Sequence, residues 1–195
     1  MTAFSSENKK TVFLTSILAF VFCSACTLTT ATPWAQQEGA IRFIAIGDTP
    51  YSEEEKQRLD KEIAAAIKAA APPFVIHHGD MKGGMELCTE DLLTERRDFV
   101  YGLLPGRVFY TPGDNEWTDC DRSFLETPVS ELDSLDLLRR LFFADPMDLP
   151  TSWQYARQAN FPENARWLRD DVLFMTVHLV STNNGRMDIQ LDDIE

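Results

Sequence analysis

The sequence predicts an α/β domain, and three observations carry that expectation. Short branched apolar runs each end in Gly-Asp or His, helix-forming stretches lie between them, and 195 residues suit one domain and hardly two. Hydrophobic residues are 44% of the chain, enough for a core, and charged residues 25%, so disorder is not the default.

The elements follow in order. Ile41 to Ile46 is a branched apolar run that Gly47-Asp48 ends. Ser52-x-x-Glu55 reads as a capping box opening a helix from Glu53 to Ala71, which Pro72-Pro73 stops. Phe74-Val-Ile76 continues through His77-His78 to Gly79-Asp80. Thr89 caps a second helix from Glu90 to Leu104, and Pro105-Gly106 ends it. Arg107 to Tyr110 leads through Thr111-Pro112 to Gly113-Asp114. A third helix, Asp133 to Phe143, places Leu135, Leu138, Leu141 and Phe142 at helical spacing. Val172 to Val177 ends at His178. Apolar runs bounded by Gly and Pro suit strands buried on both faces, and strand–helix alternation implies substantial parallel pairing. Residues 115–171, rich in Trp, Asp and Pro, read as an irregular layer over the site.

The N-terminus reads as a targeting segment. Lys9 and Lys10 precede an apolar run, Val12 to Cys26, that is shorter than the ~20 residues of a membrane-spanning helix and fits a secretory signal. Cleavage after Ala31 or Ala35, lipid attachment at Cys26, and an uncleaved anchor remain open; each places the domain outside the cytoplasm, in the periplasm or secreted. The expected organisation is a signal peptide over 1–31, a leader over 32–40 and a domain over 41–195. In an oxidising compartment Cys88 and Cys120 either pair or stand as two thiols, and their spacing offers no zinc pattern.

The net charge is −13 with no Lys/Arg cluster, which excludes the basic footprint of a nucleic-acid binder. Such a surface repels phosphate unless bound divalent cations reverse the field locally. Asp48, Asp80 and Asp114 each follow a strand, and ligand sites of open α/β sheets lie beyond the carboxyl ends of strands. If those strands are parallel neighbours the three carboxylates converge, with His178 at the same edge. Like charges so gathered call for a cation, and carboxylate with imidazole suits Mn, Fe or Zn. A single Gly-Asp has a bland explanation as a turn or helix cap; three with a strand-end His weigh toward a metal site.

These motifs resemble the calcineurin-like metallophosphoesterase family. Gly47-Asp48-Thr49-Pro50-Tyr51 stands at its first motif, His78-Gly79-Asp80 at its second, Gly113-Asp114-Asn115-Glu116 at its third, and Val177-His178 at its fourth. The resemblance covers about residues 41–185, and it implies a β-sandwich flanked by helices that is incomplete at its C-terminus, because the family's Gly-His-x-His part is absent. It further implies two divalent metals (Mn, Fe or Zn), with Asp48 on the first, Asp80 bridging, and the third motif with His178 on the second. A metal-bridging hydroxide would hydrolyse a small-molecule phosphomonoester or phosphodiester. Pro50 stands where the family has a His; Tyr51 is then either a ligand or hydrogen-bond donor or a packed loop residue. In one register Asp114 is the ligand and Asn115 takes the catalytic His position; in the other Asn115 is the ligand. His78 is a candidate partner behind a ligand or a structural histidine. Arg96, Arg97, Arg139 and Arg140 read as exposed helix cations, and Trp117, Trp153 and Trp167 as packing. The alternatives are a non-catalytic exported binding protein, an inactive fragment of such an enzyme, and an α/β hydrolase using one metal on another ester.

Overall fold

Three parallel strands form the centre of the structure, a computed structural model that describes residues 40–179. Strands β1 (Ile44–Ile46), β2 (Val75–His77) and β3 (Val108–Tyr110) lie in the order β1-β2-β3, with Ile46 opposite His77 and His77 opposite Tyr110. Their carboxyl ends are therefore level. The connections are helical, as parallel pairing requires.

Local chemistry explains the helices. Helix α1 (Glu53–Arg58) begins where Ser52 Oγ accepts from the Glu55 amide at 3.2 Å, and three Glu residues in its first turn complement the helix dipole. The Glu55 carboxylate accepts from the Tyr51 amide at 2.6 Å, one residue before the position a capping box uses, which ties the first loop to the helix. The helix runs on through a π-helical segment, Leu59–Ile63, into α2 (Ala64–Ala70), and closes at Ala71 in a left-handed conformation ahead of Pro72-Pro73. Helix α3 (Glu90–Gly102) is capped by Thr89 and buries Leu93, Arg96 and Val100 on one face. Helix α4 (Glu131–Phe142) begins two positions before the expected start and buries Leu135, Leu138 and Phe142.

Alternate residues of the central strands face opposite ways. Val75, Val108 and Tyr110 join Leu93, Val100 and Leu138 in a core against the helices. Phe74 and Phe109 face the other way, into an aromatic cluster with Trp153 and Trp167. Trp167 stacks on Phe109 with ring centroids 3.5 Å apart, and Phe174 meets Phe74 at 4.9 Å. Burying one such ring contributes about 2–3 kcal/mol.

Trp167 and Phe174 belong to a second sheet, and here two expectations are corrected. Residues 115–171 are not an irregular layer: beside α4 they hold β4 (Ala156–Gln158) and β5 (Phe161–Arg169), which with β6 (Val172–Thr176) form an antiparallel sheet in the order β4-β5-β6. Strand β6 therefore does not continue the parallel set. It is also not buried on both faces: Phe174 and Thr176 face inward while Leu173, Met175 and Val177 are exposed, the alternation of a one-sided antiparallel strand. The architecture is mixed α/β, with two small sheets and helices and no closed barrel. Among the described residues no helix is long and apolar enough to cross a membrane. The expected signal and most of the leader, and the Asn183-Asn184-Gly185 turn, lie outside the described residues.

Candidate functional site

The level ends of β1, β2 and β3 deliver three loops to one edge, and backbone hydrogen bonds bind the loops together. The His78 amide donates to the Ile46 carbonyl at 3.0 Å, the Asp48 amide to Gly79 at 3.0 Å and the Thr49 amide to Asp80 at 2.9 Å. Gly79 (φ 83°) lies so close to the third loop that a Cβ there would overlap the Gly113 amide. A Cβ on Gly113 would overlap Asp80 Oδ1 and stand 2.7 Å from the Asp80 amide. The second and third loops touch because both positions lack a side chain.

Glu116 fastens the same two loops. It is fully buried, and Oε1 accepts from the Gly113 amide at 2.8 Å and from the Tyr110 hydroxyl at 2.8 Å. Its Oε2 accepts from the Asp80 amide at 3.0 Å. Burial pushes its carboxyl up to about 7, against the pull of those donors. Sequence reasoning passed over Glu116 as a site residue. Its signal was an acid directly after Gly113-Asp114-Asn115, but its partner Asp80 is 36 positions away.

The three strand-end aspartates gather as expected. Burial pushes the Asp80 carboxyl up to about 6, helped by a side-chain hydrogen bond with Asp114 and the charges of Asp114 and Asp48, while the Asn115 amide opposes the shift. Carboxylates gathered this closely call for a cation to offset their charge. Asp48 and Asp80 both take left-handed backbone conformations (φ 59° and 51°).

Tyr51 and Asn115 complete the cluster. The Tyr51 hydroxyl donates to Asp48 Oδ1 and receives the Asn115 Nδ2 donor at 3.3 Å. Partial burial, then the bond to Asp48 and the nearby carboxylates, holds the Tyr51 hydroxyl above its ordinary value, so it stays protonated as a donor. The Asn115 amide donates to Asp80 Oδ1 at 3.3 Å. Pro50, standing in the family's His position, is buried and turned away. It lines a cavity of about 290 Å³ between α1 and α3 with Leu59, Arg96 and Phe99.

His178 comes to the third loop from the other sheet. Its ring meets Trp117 edge-on at 5.1 Å, and its amide donates to Asn164 Oδ1 at 2.6 Å. Its Nδ1 faces the buried Glu163 at 3.6 Å, and Nε2 is buried with no hydrogen-bond partner among the described residues. Arg139 grips the other side of Glu163 at 2.8 Å. Burial alone would raise the Glu163 carboxyl, but the nearby His178 and the Arg139 bonds bring it down to about 2. Arg139 is thus a paired cation reaching into the core, and Arg96 is buried beside Glu86 and Glu95; neither is the exposed helix cation that was expected.

The two adjacent histidines part company, as neighbours on a strand must. His77 is buried, its Nδ1 accepts from the Gly79 amide at 3.3 Å, and burial, then His78, lowers it to about 3, so it is neutral. His78 is exposed and packs over Gly47, where a Cβ would stand 2.5 Å from its Nδ1.

Two cations flank the carboxylates. Lys82 is fully buried and spends its ammonium on the carbonyls of Gly83 at 3.1 Å and Glu86 at 2.8 Å; burial lowers its pKa. Arg122 pairs with Asp119 at 2.9 Å from the helical turn Thr118–Asp121. That turn is held by a disulfide between Cys88 and Cys120, with Cα atoms 5.7 Å apart.

Among the described residues no group of three or more His, Cys, Asp and Glu side chains stands arranged to hold a metal ion. The Tyr51 hydroxyl occupies one oxygen of Asp48, and His178 turns Nδ1 to Glu163. The donor chemistry nevertheless suits a divalent cation, through the gathered Asp48, Asp80 and Asp114 carboxylates. No family model matches the chain, and no curated protein or solved structure matches it.

Proposed function

We propose that this chain carries the site of a metal-dependent phosphoester hydrolase of the calcineurin-like kind, exported from the cytoplasm and built on that family's helix-flanked β-sandwich. The observation that carries the reading is the meeting of Asp48, Asp80 and Asp114 beyond three adjacent parallel strands, with Asp80 pushed up to about 6 by burial and by its carboxylate neighbours. A cation would offset the mutual repulsion of such a cluster. Asp48, Asp80, Asp114 or Asn115, and His178 would hold divalent Mn, Fe or Zn. Bound there, the cations would supply a water of lowered pKa and neutralise charge on a phosphoryl group.

The chain's own residues have definite tasks in this reading. Asp80 lies between the first and third loops, and Glu116 holds its backbone in place. Tyr51 donates a hydrogen bond to Asp48 and orients it. Asn115 donates its backbone N–H to Asp80 and its side-chain amide to the Tyr51 hydroxyl, and in the register where Asp114 is the ligand it takes the place of the family's catalytic His. No histidine stands there to protonate a leaving group, so the reading favours substrates with acidic leaving groups.

A second reading, a non-catalytic exported binding protein, is favoured by one observation: the Tyr51 hydroxyl already occupies Asp48 Oδ1. The full chain is to be assayed with Mn²⁺ on p-nitrophenyl phosphate and bis-p-nitrophenyl phosphate, with metal content measured on the same sample. The hydrolase reading expects about two metals per chain, turnover of at least one compound, and loss of both properties in Asp80→Asn. Protein that holds no metal and turns over neither compound gives the second reading the field.

A further inference from the structure

On this acidic chain, a site for phosphoesters needs a cation that reaches the substrate, and the two beside the cluster differ in whether they can. Lys82 cannot, because it is buried with its ammonium committed to two backbone carbonyls. Arg122 is open to solvent: its side chain is 41% exposed. Resting on the hydrolase reading above, we propose that Arg122 is the substrate-positioning cation of the site. In this role its guanidinium receives terminal oxygens of a phosphomonoester held at the Asp48–Asp80–Asp114 cluster, which favours monoesters over diesters.

Arg122 is held in place as a positioning group must be. Its Nη2 pairs with Asp119 Oδ2 at 2.9 Å, and Asp119 is itself 12% exposed. Its guanidinium lies 5.8 Å from the Phe124 ring centroid. The turn that carries it is tied by Cys120 to Cys88, so the guanidinium is anchored at its root and its tip.

Its direction follows from Gly84. A Cβ on Gly84 would stand 2.7 Å from Arg122 Nη1, 3.0 Å from Asn115 Oδ1 and 3.0 Å from Asp119 Oδ2. The missing side chain leaves a space that Arg122 Nη1, Asn115 Oδ1 and Asp119 Oδ2 all border. Asn115 in turn donates to Asp80 Oδ1 and to the Tyr51 hydroxyl, which bonds Asp48. Arg122 and the carboxylates thus have Asn115 as a common neighbour. A planar fork suits two phosphoryl oxygens at once. A monoester dianion offers three terminal oxygens and a diester two. The extra charge and oxygen are what a fixed cation at the rim recognises.

The test uses the full chain with Mn²⁺: wild type, Arg122→Gln and Arg122→Lys. Kinetics are read on p-nitrophenyl phosphate and its bis ester, and binding of inorganic phosphate by calorimetry. Arg122→Gln is expected to raise KM for the monoester about tenfold or more, with a smaller change on the diester and in kcat, and to weaken phosphate by a similar factor. Arg122→Lys restores part of the phosphate affinity. Unchanged monoester KM and phosphate affinity in Arg122→Gln overturn the proposal, and so does an equal loss on both esters. Should Arg122→Gln not fold, Arg122→Lys decides, because it keeps the charge and loses the fork: monoester KM and phosphate affinity equal to wild type refute the assignment. A wild type that turns over neither ester removes the hydrolase reading instead. The phosphate titration still judges Arg122 in that case, since equal affinity in wild type and Arg122→Gln counts against it.

Discussion

Glu163→Gln tests how the second sheet is joined to helix α4 and to His178. Glu163 is 3% exposed and is held by Arg139 at 2.8 Å, with His178 Nδ1 at 3.6 Å. Its carboxyl falls from 4.5 to about 2 on folding, because the nearby His178 and the Arg139 bonds outweigh the burial that opposes them. The group therefore contributes stability that is fully present above its unfolded pKa and is lost as pH falls through the folded one. Between those limits the unfolded chain binds a proton that the folded chain does not, so unfolding is favoured as acid is added. A depression of this size corresponds to about 3 kcal/mol. The assay is urea denaturation of wild type and Glu163→Gln at several pH values from 6 down to 2.5. Other carboxylates titrate in both proteins, so the difference between them isolates Glu163. The wild type is expected to be more stable at pH 6 by about 3 kcal/mol or more, since the variant leaves Arg139 without its buried partner. That margin should shrink by most of its size by pH 2.5. A difference constant within about 0.5 kcal/mol across the range would refute the reasoning, because that is the additivity expected of an untitrated site.

Two further substitutions probe the loops of the site. Glu116→Ala strips the buried Asp80 and Gly113 amides and the Tyr110 hydroxyl of their acceptor, at about 1–3 kcal/mol each. A large fall in Tm is expected, and a fall equal to that of an exposed Glu→Ala change, such as Glu54→Ala, would count against the clamp. Gly79→Ala forces a Cβ into the Gly113 amide at φ 83°, whereas Gly106→Ala meets nothing within 4 Å at φ 73°. Thermal melts should show Gly106→Ala losing only the left-handed strain, about 1–2 kcal/mol, and Gly79→Ala losing far more or failing to fold; similar losses would contradict the close approach of the loops.

The parallel strands were legible because each signal is local. A branched run followed by Gly-Asp marks both a strand and its end, and Ser52 and Thr89 mark helix starts through a bond three residues long. Strand β5 was not legible: Pro162, Glu163 and Asn164 are poor strand formers, and Glu163 is tolerable inside only because Arg139 and His178 meet it. The sheet to which β6 belongs was misread, because a short apolar run states neither the direction of its neighbour nor which alternate side chains are covered. Tertiary pairing decided both. In the site, the convergence of Asp48, Asp80 and Asp114 followed from strand direction alone. The orientation of His178 and the roles of Glu116 and Arg122 did not, since each depends on partners that the fold brings from elsewhere.

The bond between Cys88 and Cys120 spans 32 positions and makes a covalent ring of α3, β3 and the loop bearing Asp114. The exposed Pro105-Gly106 turn lies within that ring. A protease cutting there would leave Asp48 and Asp80 on one fragment and Asp114 on the other. The two fragments would still travel as one molecule, and would separate only under thiol in denaturant. Backbone continuity at that turn is thus not what keeps the acids of the site together.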